Sequence, residues 1–104
     1  MDIYGLKNCD TCRKAAKALP GARFVDLRAD GLPEALLLRA IERFENDIVN
    51  RRSTTWRGLN ADERAQAPLA LLQAHPALMK RPLIVSGDQM YLGWGAETQE
   101  TLGV

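Results

Sequence analysis

Tyr4-Gly5-Leu6-Lys7-Asn8-Cys9-Asp10-Thr11-Cys12-Arg13-Lys14-Ala15-Ala16 is the stretch that orders the rest of the chain. Ile3 and Tyr4 give a short apolar start. Beyond Gly5 and Asn8, the residues Cys9, Cys12, Ala15, Ala16 and Leu19 recur at helical spacing, which predicts strand, loop and helix with a thiol at the last junction. The first amides of a helix lack internal partners and carry the positive end of its dipole, so a cysteine placed there ionises more readily. Cys9 is therefore the candidate nucleophile. Cys12, three residues on and on the same helix face, is within disulfide reach and is the candidate resolving thiol. The competing reading makes both of them small buried hydrophobes. Against it, they are the only cysteines of the chain and stand at redox spacing. Two thiols supply half of a tetrahedral zinc shell, and the one imidazole, His75, is remote in sequence beside Pro76, so no metal site is expected.

With 104 residues the chain fits one domain with a modest core, and 46% apolar and 26% charged residues are ordinary for a globular protein. No apolar run reaches membrane-spanning length and Met1-Asp2-Ile3 does not begin a leader pattern, so the expectation is a cytoplasmic protein with no membrane partner. In a reducing compartment a Cys-x-x-Cys is expected to do redox work. The net charge of +1 selects no partner. Locally, Arg51, Arg52 and Arg57 fall in an acid-free window between Asp47 and Asp62, and Arg64, Lys80 and Arg81 are the charges between Glu63 and Asp88. These segments read as a solvated face or an anion site, and are too narrow for nucleic acid.

Pro20 and Gly21 stop the first helix, and Arg23-Phe24-Val25-Asp26-Leu27 reads as a second strand. A strand, helix and strand of these lengths make a right-handed parallel unit, with Cys9 at the carboxyl edge of the sheet. Gly31 and Pro33 open a second helix, proline at its first position, with Leu37, Ala40, Ile41 and Phe44 as its apolar stripe. From Ile48 to Leu59 no period is visible, and the segment reads as helix end plus loop. Trp56 within it reads as a buried ring. Asn60 or its neighbour, with Glu63, caps a short helix, Pro68 starts another, and His75 before Pro76 reads as a helix-end hydrogen-bonding residue. Arg81-Pro82-Leu83-Ile84-Val85-Ser86 and Gln89-Met90-Tyr91-Leu92 form a hairpin about Gly87-Asp88, and a last helix covers about Ala96 to Leu102. The fold class is α/β: a mixed four-stranded sheet, β-α-β-α then β-β-α, with an all-helical insert at about 46–76 in a single domain.

Three motifs in this order, the Tyr4–Ala15 stretch, Asn50-Arg51-Arg52-Ser53-Thr54-Thr55-Trp56-Arg57, and His75-Pro76-Ala77-Leu78-Met79-Lys80-Arg81-Pro82-Leu83-Ile84-Val85, resemble the arsenate-reductase-related ArsC/Spx family of thioredoxin-like proteins, nearest its YffB-like branch. The resemblance implies a thioredoxin-like sheet with a helical insert, a nucleophile at Cys9 and a cis bond before Pro82. Relatives that reduce arsenate hold the oxyanion with three arginines and pass oxidised arsenic to glutathione or glutaredoxin. Here Arg81 matches the arginine before the proline, whereas Asn50, with Arg51 and Arg52 beside it, and Trp94 stand near the other two positions. Fewer cationic anchors weaken the hold on a small tetrahedral anion. The expected activity is thus thiol oxidoreduction with glutathione as co-substrate, no resident cofactor, and glutathione or glutaredoxin plus a small oxyanion or disulfide as partners of a monomer. Arg81 with Arg51 or Arg52 would hold a carboxylate of glutathione while Trp56 or Trp94 packs on the peptide. Asn8 and Pro82 are further candidate substrate-binding residues, and Arg13 would add to thiolate stabilisation. The alternatives are an arsenate reductase, an Spx-like redox regulator that binds RNA polymerase, and a binding protein with inert cysteines.

Overall fold

Residues 1–104 are described by a computed structural model. Ile3, Tyr4 and Gly5 are all buried, as expected of a central strand, and β1 (Asp2–Gly5) has a neighbour on each side. It pairs in parallel with β2 (Arg23–Asp26), from Asp2 opposite Arg23 to Gly5 opposite Asp26. The connection between them is α1 (Asp10–Ala18), because a parallel pair requires a crossover. On its other side β1 pairs antiparallel with β3 (Leu83–Ser86), which turns through Gly87 at φ 59° into β4 (Gln89–Leu92). The positive φ explains why glycine opens that two-residue turn. The resulting order is β2-β1-β3-β4, a mixed sheet as the sequence predicts. α6 (Ala96–Leu102) closes the chain, ended by Gly103 in the left-handed conformation.

By its contacts the chain divides into two compact units: Met1–Gly31 with Arg81–Val104, which holds the sheet, and Leu32–Lys80, which is helical. In the helical unit, α2 (Glu34–Phe44) buries Leu37 and Ala40 of the expected stripe and leaves Ile41 and Phe44 half-buried. Pro33 has ψ 136°, extended backbone, and caps this helix; it does not form the expected first helical residue. A 3-10 turn, Glu45–Ile48, leads to Val49, which bridges Met79. Two 2.8 Å bonds flank that bridge, Asn50 N to Leu78 O and Lys80 N to Ile48 O. The helical unit extends beyond the expected insert at both ends, because α2 packs on α5 (Pro68–Ala74) and the bridge ties 48–50 to 78–80.

The loop expected between Ile48 and Leu59 contains a further one-turn helix, α3 (Thr54–Arg57). Ser53 caps it, its Oγ accepting from Trp56 N at 3.1 Å. One turn shows no periodicity, so the cap was the available signal. At α4 (Ala61–Arg64) the Asn60/Glu63 spacing forms a full capping box: Glu63 N donates to Asn60 Oδ1 at 2.8 Å and Asn60 N to Glu63 Oε1 at 3.1 Å. Replacing Asn60 with alanine is expected to cost about 1 kcal/mol in urea unfolding, with Asn60→Asp close to wild type. His75 ends α5 as expected, donating its amide to Leu71 O at 2.8 Å, and its Nε2 lies 3.8 Å from Glu63 Oε2. No helix is long and apolar enough to cross a membrane.

Candidate functional site

The loop 6–9 joins β1 to α1 and places Cys9 at the helix N-cap with extended backbone, φ −98° and ψ 118°. The loop is closed by Cys9 N donating to Leu6 O at 3.1 Å, and the helix opens with Arg13 N donating to Cys9 O at 3.0 Å. Asp10 and Thr11 are exposed, Cys9 is half-buried and Cys12 is fully buried. Both cysteines are free thiols.

Small residues make room for the second sulfur. Ala15 packs beside Cys12 on the inner face of α1, and Gly5 on β1 lies so close that a Cβ there would stand 2.5 Å from Cys12 Sγ and 3.1 Å from Cys12 Cβ. Gly5, in sequence only a residue on the way from the apolar start to Cys9, is the last residue of β1 and the floor on which Cys12 rests. Its position directly before the thiol loop was the available signal.

The two thiols are displaced in opposite directions. Burial pulls the Cys9 thiol upward, but donation from the Cys12 side chain and amide, together with the Arg81 guanidinium, outweighs it and lowers the pKa below the ordinary range. The sulfur closes no strict side-chain cap, so the Cys12 amide acts on it as a looser charge–dipole contact. For Cys12, burial and the hydrogen bond to Cys9 push the thiol up to about 12, with the Leu6 amide and Arg81 opposing. One sulfur is set up as the anion and the other as the donor that holds it.

Of the residues expected around the sulfur, the structure brings Arg81 to it. The Arg81–Pro82 peptide is cis, as the resemblance implied, Pro82 is buried, and its carbonyl accepts from Gly93 N at 2.8 Å. That bond ties the end of β4 beside the start of β3, and Trp94, half-buried, follows with its carbonyl accepting from Gln99 Nε2 at 3.1 Å. Asn8 is exposed on the loop. Arg13 is used differently from expectation: its Nε donates to Lys7 O at 2.8 Å and its guanidinium lies 3.7 Å from Asp10, so it braces the loop that carries Cys9.

Arg51, Arg52 and Trp56 belong to the helical unit. Trp56 is half-buried, and its ring is stacked by the guanidinium groups of Arg51 at 5.5 Å and Arg64 at 5.3 Å. Arg64 also donates to Trp56 O at 3.2 and 3.1 Å. The ring expected as a wall for a ligand is therefore held by the protein's own cations, each stack contributing about 0.5–1 kcal/mol. Arg64 was not singled out by sequence, because its partner is eight residues away with a loop between. No group of three or more His, Cys, Asp or Glu side chains is placed to hold a metal ion.

The ArsC family model matches residues 4–102 of this chain. An uncharacterized protein of Haemophilus influenzae is 39% identical over 103 residues, covering 88% of this chain and 89% of that one. The global transcriptional regulator Spx of Listeria monocytogenes is 27% identical over 105 residues, covering 91% and 80%. Among solved structures, the YffB protein superposes with a TM-score of 0.82 at 29% identity, covering 96% of each chain.

Proposed function

This chain belongs to the ArsC family, and we propose that it is a glutathione-dependent thiol reductase with Cys9 as nucleophile. The observation that carries this reading is the opposite displacement of two adjacent thiols, one lowered and one pushed up to about 12. The thiolate is the attacking species in disulfide exchange, so only the lowered sulfur attacks at neutral pH. Cys9 attacks a disulfide sulfur of the substrate, a new S–S bond forms, and the leaving thiolate takes the electron pair and then a proton. A second thiol attacks the Cys9 mixed disulfide and releases Cys9 as thiolate. With a glutathione mixed disulfide as substrate, Cys9 takes the glutathionyl sulfur and the balance is RSSG + GSH → RSH + GSSG, with Cys9 regenerated.

Glutathione is the resolving thiol in this scheme. Cys12, buried and held protonated, serves Cys9 as hydrogen-bond donor. Reduction of a low-molecular-weight mixed disulfide by wild type and Cys12→Ser, with glutathione supplied or withheld, tests the assignment. The serine hydroxyl keeps the donor, so Cys12→Ser is expected to retain at least about a third of wild-type turnover, and turnover is expected to require glutathione. Loss of turnover in Cys12→Ser would instead make Cys12 the resolving thiol. Arsenate belongs in the same assay, since turnover with it in place of the disulfide would make the chain an arsenate reductase.

The similarity to Spx over 91% of the chain supports a second reading, a redox-responsive regulator. In that case reduced or oxidised protein would retain RNA polymerase subunits in a pull-down. Retention without reductase turnover would favour regulation.

A further inference from the structure

We propose that the helical unit carries a second binding site, with neither cysteine in its lining, for a small organic dianion whose charge lies on phosphate or paired carboxylate oxygens. Its place is a groove of about 550 Å³ lined by Asn46, Asp47, Asn50, Arg51, Arg52 and Lys80. Such a volume suits a small metabolite. Three cations against one acid leave a local charge of about +2, and none of Arg51, Arg52 and Lys80 enters an ion pair; those of the chain lie at Arg13, Arg23 and His75.

The groove is built on fixed backbone. The Val49–Met79 bridge, with its two flanking 2.8 Å bonds, holds the chain entering Arg51 and Arg52 beside the chain carrying Lys80. Asn50 then locks the turn: its Oδ1 accepts from Arg52 N at 3.0 Å and its carbonyl from Ser53 Oγ at 2.8 Å. Arg51 is pre-positioned by stacking on Trp56 at 5.5 Å and by Asn46 O at 3.5 Å. Cations fixed in advance lose less freedom on binding, and guanidinium forks match phosphate and carboxylate oxygens with paired bonds. The exposed side chain of Arg52 has no partner within the protein and is the anchor left for the ligand.

Trp56 reports on this site because Arg51 lies on its ring. In a Cys9→Ser, Trp94→Phe background, where Trp56 is the one tryptophan and no thiol chemistry intervenes, glycerol 3-phosphate and succinate are titrated separately while Trp56 emission is followed. At least one is expected to saturate the signal below about 10 mM, and which one does so tells phosphate from dicarboxylate. Arg52→Ala is expected to weaken binding about tenfold and Lys80→Ala severalfold, whereas Asp47→Asn, which removes the opposing charge, tightens it severalfold. Arg39→Ala, an exposed arginine of α2 outside the groove, is expected to leave binding unchanged. Absence of saturation with both anions overturns the site, as does an Arg39→Ala loss equal to that of Arg52→Ala. Neither outcome touches the thiol reductase assignment, since Cys9 is absent throughout.

Discussion

Cys9→Ser is expected to remove disulfide reduction by more than about a thousandfold while leaving the fold intact. A serine hydroxyl is not ionised at neutral pH, and the loss of a nucleophile removes the covalent step altogether. The pH profile of Cys9 alkylation in the wild type carries the complementary result. Rate follows the thiolate fraction, so a lowered pKa moves the midpoint below the value of about 8.5 usual for a free thiol. Burial acts against ionisation here, and the Cys12 donors and Arg81 reverse it. Arg81→Ala should therefore move the midpoint upward, and Cys12→Ala should do so as well by deleting the side-chain donor. A wild-type midpoint at or above the usual thiol value would leave the reductase assignment without its nucleophile.

Gly5→Ala is expected to destabilise the protein by about 1–3 kcal/mol, the cost of forcing volume into a packed interior. The conflict is steric: the added methyl would stand 2.5 Å from the sulfur and 3.1 Å from the Cβ of Cys12, which is fully buried and has no room to retreat. For a domain of this size the melting midpoint should fall by about 4–8 °C per kcal/mol. A double-mutant cycle identifies the cause. Removing the sulfur with Cys12→Ala relieves the closer contact, so the double variant should be more stable than the two single losses predict. Additivity in that cycle would place the strain elsewhere. Wherever Gly5→Ala does fold, the displaced Cys12 donates less well to Cys9, and the alkylation midpoint should rise with it.

Where local signals were dense, the sequence could be read through to the structure. The parallel unit around Cys9, the hairpin at Gly87-Asp88, the Asn60–Glu63 box and the last helix each follow from glycine, proline, capping residues or hydrophobic period within a few neighbours. α3 escaped because one turn has no period, and Pro33 fell one residue outside its expected place because a proline fits both the cap and the first turn. The placement of Cys9 was legible for the same local reason: a cysteine that ends a loop and starts a helix stands at its N-cap whatever lies beyond.

Sequence alone thus determined the order of most strands and helices, the parallel β1–β2 unit and the place of Cys9 at the start of α1, since all three arise from interactions between residues near one another in the chain. Tertiary structure decided what surrounds that sulfur and how the arginines are spent. Arg81 comes to Cys9 from 72 positions away because β3 pairs with β1. Gly5 leaves no space for a side chain because Cys12 of α1 lies against it, and Arg64 reaches back across a loop to Trp56. Contacts of that kind depend on how elements pack, and packing is not encoded in the spacing of any single stretch.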